Sequence, residues 1–147
     1  MAQKKIITIC ASVSFYKDIP AIEKQLKALR FQVKLPESLY TMIQTKNFNT
    51  ESYKPWFQDP SYYKRKTQYI KRHNKKIAES NAILVLNNEK KGVKGYIGGN
   101  VLMEMAVAFH LKKRIYIYNQ IDEKSPLKEE ILGVQPIIID QDLTKIT

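Results

Sequence analysis

The sequence predicts an α/β fold, a three-layer sandwich in which helices cover both faces of a five-stranded parallel sheet. Three observations carry that expectation. Apolar, β-branched runs recur through the chain, helical patterns alternate with them, and two of the runs read as strands buried on both faces, the mark of a parallel sheet. No repeat, low-complexity tract or linker interrupts the 147 residues, which read as a single domain, 1–147.

The first strand is Ile6-Ile7-Thr8-Ile9-Cys10. Asp18 is placed to cap a helix running to Leu29, with Pro20 tolerated in its first turn. Phe31-Gln32-Val33-Lys34-Leu35 alternates apolar with polar and reads as an edge strand ended by Pro36. Residues 36–61 are the least regular, with Tyr40, Phe48, Tyr53, Trp56 and Phe57 interleaved among Asn, Lys, Ser and Pro. So long a connection either staples itself over the sheet, with irregular helix of its own, or forms a lid of stacking rings for a base or sugar. A helix over 62–79 follows, with Tyr63, Ile70 and Ile77 seven apart and Lys66 and His73 beside them, a narrow apolar stripe under many cations. Then come a strand at 82–86, a strongly apolar helix at 100–112, a strand at 115–118, a short helix at 126–132 stopped by Gly133, and a strand at 137–139. Right-handed crossovers between these elements give a Rossmann-like, flavodoxin-like sheet of order 2-1-3-4-5, with ligand expected at the carboxyl ends of the strands near the switch point. Those ends carry Ala11-Ser12-Val13-Ser14-Phe15, Asn87-Asn88 and Asn119.

Hydrophobic residues make up 44% and charged residues 27%, the balance of a globular domain rather than a disordered chain. No apolar run approaches the ~20 residues that span a bilayer, so no membrane partner is expected. Met1-Ala2-Gln3-Lys4-Lys5 leads straight into the first strand without a signal-peptide pattern. The single cysteine, Cys10, excludes an internal disulfide and reads as a small core residue in a reducing, cytoplasmic setting. The net charge of +11 favours anionic partners, and it is concentrated in Lys64, Arg65, Lys66, Lys71, Arg72, Lys75 and Lys76. A solvated helix face accounts for such a run; the alternative is a nucleic-acid surface on which Tyr63 and Tyr69 stack against single strands. No Cys, His, Asp or Glu cluster has metal-ligand spacing, so neither a metal nor a cofactor is expected.

Within 95–109, Glu104 is the only ionisable side chain apart from the hydroxyl of Tyr96. It sits about one turn into a helix that is apolar on almost every side. A lone carboxylate there loses hydration worth several kcal/mol unless something pairs with it, so either chemistry or a Lys, Arg or His of the basic helix must account for it. Gly98-Gly99-Asn100 precede it. Glycines let a ligand approach the backbone, and the helix start, with Asn100 as N-cap, presents free amides to an anion or hydroxyl. His73 is either a packed, hydrogen-bonded residue or a substrate contact, and His110 suits a helix C-terminus.

On those residues the chain resembles the nucleoside 2-deoxyribosyltransferase-like family. The run from Ser80-Asn81 through Leu86-Asn87, the helix Gly99-Asn100-Val101-Leu102-Met103-Glu104-Met105-Ala106 and the run Lys113-Arg114-Ile115-Tyr116-Ile117 are similar to its strand, catalytic-glutamate helix and next strand. Ile9-Cys10-Ala11-Ser12-Val13-Ser14-Phe15 is similar to its first strand and substrate loop, and together the matches cover about half the chain. The resemblance implies that Glu104 is the catalytic nucleophile, attacking a sugar anomeric carbon to form a glycosyl ester that water or a second base resolves. It implies a nucleoside or nucleoside monophosphate as substrate and a homo-oligomer in which a neighbouring subunit completes the sugar site. The implied binding set is Ser12, Ser14, Phe15, Asn87, Gly98, Gly99, Asn100 and His73, with His73, Asn87 and the Ser12/Ser14 loop available to protonate the departing base. Two positions differ from the family pattern: Gly98 and Asn81 stand where members carry aspartates, the first of which binds sugar hydroxyls. A nucleotide-binding sensor or partner module, keeping the pocket without the chemistry, is the alternative. The Gly-Gly-x-Gly-Thr-x-x-Glu pattern of lysine-decarboxylase-like phosphoribohydrolases fits less well, because Glu104 follows Gly98 by six residues rather than seven and Gly-Thr is missing.

Overall fold

The computed structural model describes residues 3–147; Met1 and Ala2, which open the run read as free of a signal peptide, lie outside the described residues. Strands β1 (Ile6–Ala11), β2 (Gln32–Lys34), β3 (Ala82–Leu86), β4 (Arg114–Ile117) and β5 (Ile137–Ile138) form one parallel sheet in the order β2-β1-β3-β4-β5. This is the order that the alternation of strand and helix predicts. Ile7 lies opposite Val33 on one side and Ala82 on the other, so β1 is central.

Strand alternation sorts the side chains into two cores. Ile7, Ile9 and Ala11 of β1 join Leu84 and Leu86 of β3 in the first. Helix α1 (Ile19–Ala28) closes it with Ile19, Ile22 and Leu26, and α2 (Glu37–Thr45) with Leu39 and Met42. Cys10, Ile83 and Val85 point the other way, under Ile77 of α3 (Tyr63–Ala78), Val101, Met105 and Ala108 of α4 (Gly99–His110) and Ile131 of α5 (Lys128–Gly133). Each fully buried Ile or Leu contributes about 1.5–3 kcal/mol relative to exposure, so the two cores hold the sheet from both faces. Helix α3 is strongly hydrophilic and is held with polar help. The hydroxyls of Thr8 and Ser80 lie 2.6 Å apart, and Lys76 Nζ donates to the Leu35 carbonyl at 2.6 Å. Its inward stripe is Ile70, His73 and Ile77, while Tyr63, expected on that stripe, is exposed.

Three local departures from the sequence reading have physical reasons. Asp18 takes the N-cap position of α1 but makes no cap bond, because its carboxylate accepts from Asn88 Nδ2 at 2.8 Å; a 3-10 turn, Val13–Asp18, precedes the helix. Asn100 is not the N-cap of α4. Gly98 is, its carbonyl accepting from the Leu102 amide at 3.0 Å, so Asn100 lies inside the first turn. Residues 36–61 hold a regular helix, α2, and three 3-10 turns, Thr50–Tyr53, Pro55–Phe57 and Pro60–Tyr62; the fixed φ of proline suits the start of the last two. Among the described residues no helix is long and apolar enough to cross a membrane.

Candidate active site

From β1 and β3, adjacent in the sheet, the chain departs in opposite directions, which opens a crevice above their carboxyl ends. A cavity of about 70 Å³ lies there, walled by Ala11 at the end of β1 and Tyr16 after it, by Tyr53, Lys54 and Trp56 of the long connection, by Lys66, Tyr69, His73 and Lys76 of α3, and by Asn100 and Glu104 of α4. The connection at 36–61 therefore staples itself over the sheet and also lines the crevice. It packs Leu39 and Met42 into the core and sets an aromatic wall over the crevice.

Glu104 projects from the second turn of α4 with its side chain only 13% exposed. Its Oε1 accepts from Asn100 Nδ2 at 3.2 Å, and Asn100 Oδ1 accepts from Lys66 Nζ at 2.9 Å, a relay that ties α3 to α4. Its Oε2 is buried without a hydrogen-bond partner among the described residues, 3.7 Å from His73 Nε2. Burial pushes the Glu104 pKa up to about 7, against the Cys10 thiol, the Lys66 ammonium and the Asn100 amide, which all favour the charged form. Burial, reinforced by Lys76, lowers His73 to about 4. Between those values both groups are neutral, so the close approach of His73 to Glu104 is not an ion pair. A basic-helix partner thus accounts for Glu104 only in part: the cation Lys66 acts through Asn100, and one carboxylate oxygen is left over.

Cys10 lies beneath, fully buried, with Sγ 3.5 Å from His73 Nε2; burial, then the charge of Glu104, pushes its thiol well above the ordinary range. The same two causes raise Tyr16. Cys10, His73 and Glu104 each offer an atom able to ligate a metal, and these atoms all lie within 4.8 Å of one another. Spacing along the chain hides this grouping, since 63 residues separate Cys10 from His73. Burial lowers the pKa values of Lys54, Lys66 and Lys76, and repulsion from Lys90 and Lys66 adds to the effect at Lys54. These cations are crowded and incompletely hydrated, a setting that favours an incoming anion. Trp56 gathers Phe57, Tyr63 and Tyr69 at ring separations of 6.3 Å, with Lys66 Nζ 5.6 Å above its own ring.

Of the expected site residues, the cavity gathers Glu104, Asn100 and His73. The Ser12 hydroxyl instead accepts from the Ser14 amide at 3.4 Å to start a 3-10 turn, and Phe15 is buried edge-on against Tyr96 at 6.4 Å. Asn87 is fully buried as a clamp between strand ends: Nδ2 donates to the Asn119 carbonyl at 2.9 Å, and Oδ1 accepts from the Asn119 amide at 2.8 Å. Its amide is committed and has no proton to lend a leaving group. Gly98 and Gly99 build the helix start. A Cβ on Gly98 would come within 2.9 Å of the Tyr96 hydroxyl, whereas Gly99 faces open space. Asn81 sits at the opposite end of the sheet, accepting from the Ile6 amide at 2.8 Å. Beyond the expected site residues the cavity takes Tyr16, Lys54, Lys66, Tyr69 and Lys76, together with Tyr53 and Trp56 of the connection that the sequence allows as a lid of stacking rings.

Comparison with protein-family models and with curated proteins gives no match for this chain.

Proposed function

We propose that the protein cleaves or exchanges the base of a nucleoside or nucleoside monophosphate, with Glu104 as nucleophile, and that it is a divergent nucleoside 2-deoxyribosyltransferase-like enzyme. The observation that carries the reading is the Glu104 carboxylate, on a residue that lines a cavity walled by aromatic rings and lysines: one oxygen is steered by Asn100, and the other is buried without a hydrogen-bond partner among the described residues. In the proposed step Oε2 attacks the anomeric carbon. The N-glycosidic bond breaks toward the base, and a glycosyl ester forms on Glu104. His73, neutral and in the cavity, supports the leaving base through a ring N–H, and water or a second base then attacks the ester to free the carboxylate. Trp56 and Tyr69 supply faces for base stacking, and Lys54 and Lys66 supply charge for a phosphate. A volume of about 70 Å³ is small for a nucleoside, so the Tyr53–Trp56 wall has to yield on binding.

A homo-oligomer belongs to the same reading; Met103 and Phe109, about half exposed on the outer side of α4, mark where a second copy would gain most. So does a reducing, cytoplasmic setting, which keeps the Cys10 thiol reduced. The test is to incubate the protein with a panel of nucleosides and nucleoside monophosphates and follow free base by chromatography. Base release is expected from the wild type, rising with pH through about 7 as Glu104 ionises, and a loss of at least ~1000-fold is expected in Glu104→Gln. Equal release by the variant removes Glu104 from the chemistry. Saturable binding of the same compounds with no release from any of them would leave the sensor reading instead.

A further inference from the structure

We propose that Cys10, His73 and Glu104 form a binding site for a thiophilic divalent cation, zinc(II) by chemistry, on the floor of the cavity. The three donors come from three separate rigid elements: β1, α3 and α4. One sulfur, one imidazole nitrogen and one carboxylate oxygen suit zinc or cobalt, whereas magnesium and calcium call for oxygen alone. Two of the three ligand–ligand distances fit as well. With metal bonds of about 2.3 Å to sulfur and about 2.0–2.2 Å to nitrogen and oxygen, a tetrahedral site has ligand–ligand edges of about 3.3–3.6 Å. Cys10 Sγ and His73 Nε2 are 3.5 Å apart, His73 Nε2 and Glu104 Oε2 are 3.7 Å apart, and no pair exceeds 4.8 Å.

The surroundings point the same way. The Glu104 oxygen nearest His73 is the one without a hydrogen bond, while its other oxygen is held by Asn100, as an outer-shell residue holds a metal-binding carboxylate. Three protein ligands leave a fourth position open, the arrangement of zinc sites that bind an exogenous ligand. Binding moves protons but no electrons. The Cys10 thiol gives its proton to solvent, Glu104 does the same where it carries one, and His73 binds through a neutral ring nitrogen. The bound unit of one dication, one thiolate and one carboxylate is neutral, so the nearby lysines do not oppose it. The cation takes the lone pair that Glu104 would direct at a sugar carbon, so metal and nucleotide chemistry exclude each other at this residue.

The proposal stands apart from the nucleotide reading, because its test needs no turnover. The full chain, freed of metal and kept reduced with a phosphine, is titrated with cobalt(II). The expected result is a near-ultraviolet thiolate-to-cobalt charge-transfer band with the strong visible bands of a four-coordinate site, saturating at one cobalt per chain and displaced by zinc. Cys10→Ser should abolish the charge-transfer band. Glu104→Gln should weaken cobalt binding by about 100-fold or more and Asn100→Ala by about tenfold, while His110→Ala, altering a surface histidine on the far end of α4, should change nothing. A folded wild type that shows no charge-transfer band at saturating cobalt overturns the proposal, as does an unaltered band in Cys10→Ser. Should Cys10→Ser not fold, a Glu104→Gln variant with native circular dichroism and wild-type cobalt affinity overturns it equally. Base release without cobalt binding, or the converse, separates the two proposals.

Discussion

Glu104 keeps its proton until about pH 7 because burial outweighs three neighbours that favour its charge. Its ordinary value is 4.5, so the folded state binds this proton more tightly than the unfolded chain does. The stabilisation is complete below about pH 4.5 and is lost as pH rises through 7, and a shift of this size corresponds to roughly 3 kcal/mol. His73 acts in the opposite sense: lowered from 6.5 to about 4, it withdraws stability as pH falls through that window. Both proteins carry His73 when the wild type is compared with Glu104→Gln, so its contribution cancels. Urea unfolding at pH 5 and pH 8 should therefore show the variant gaining stability over the wild type by roughly 2–3 kcal/mol between the two conditions. An equal difference at both would mean that Glu104 titrates in the ordinary carboxylate range. A carboxyl whose ionisation costs the folded state stability is kept for something other than folding, and that is the residue-scale reason to look for chemistry here.

The turn that delivers α4 to the cavity separates two glycines that read alike in the sequence. Gly95 has φ +60°, and a Cβ there would lie 1.9 Å from the Gln120 carbonyl oxygen, a clash with backbone that cannot rotate away. Gly99 has open space around it and opens the helix. Gly95→Ala should lower stability by at least ~2 kcal/mol, whereas Gly99→Ala should leave it unchanged or raise it by up to ~1 kcal/mol, both read by thermal unfolding. Equal effects would mean that the loop at 119–121 does not brace this turn. The same contrast says what was legible in the chain. Runs such as Ala82–Leu86 betray buried parallel strands through their own composition, and Glu104 stands out against apolar neighbours, so the sheet order and the central carboxylate could both be read. Helix α2 was not, because it is short and its buried residues, Leu39 and Met42, make too brief a pattern. The cavity's far wall was not either: Tyr16, Trp56 and Tyr69 meet only through tertiary packing. A polar residue at a strand end looks like a ligand contact in the sequence, whereas in the fold Asn87 ties β3 to the segment after β4, a role its position alone does not reveal.

At the scale of the whole molecule, the +11 charge is arranged rather than spread. Lys54, Lys66 and Lys76 ring the cavity, while Lys64, Arg65, Lys71, Arg72 and Lys75 lie exposed on α3, with Arg72 paired to Glu37 at 2.7 Å. Fields from such a group add over distances comparable with the Debye length, about 10 Å at 0.1 M salt and about 3 Å at 1 M. If the cavity lysines hold a phosphate, a nucleoside monophosphate should lose about tenfold in affinity between ~0.05 and ~0.5 M salt, while its parent nucleoside should hardly change. Lys54→Gln should flatten the monophosphate's salt slope without altering nucleoside binding, since among the described residues its ammonium makes no hydrogen bond and lies 5.7 Å from the Phe57 ring. Calorimetric titration of the pair at both salt concentrations reads this directly. Equal salt responses for nucleoside and monophosphate would take the phosphate out of the substrate. A single-stranded oligonucleotide that binds more tightly than the monophosphate, with a steeper salt slope abolished by charge reversal at Lys71 and Arg72, would instead move the ligand from the cavity to the outer face of α3.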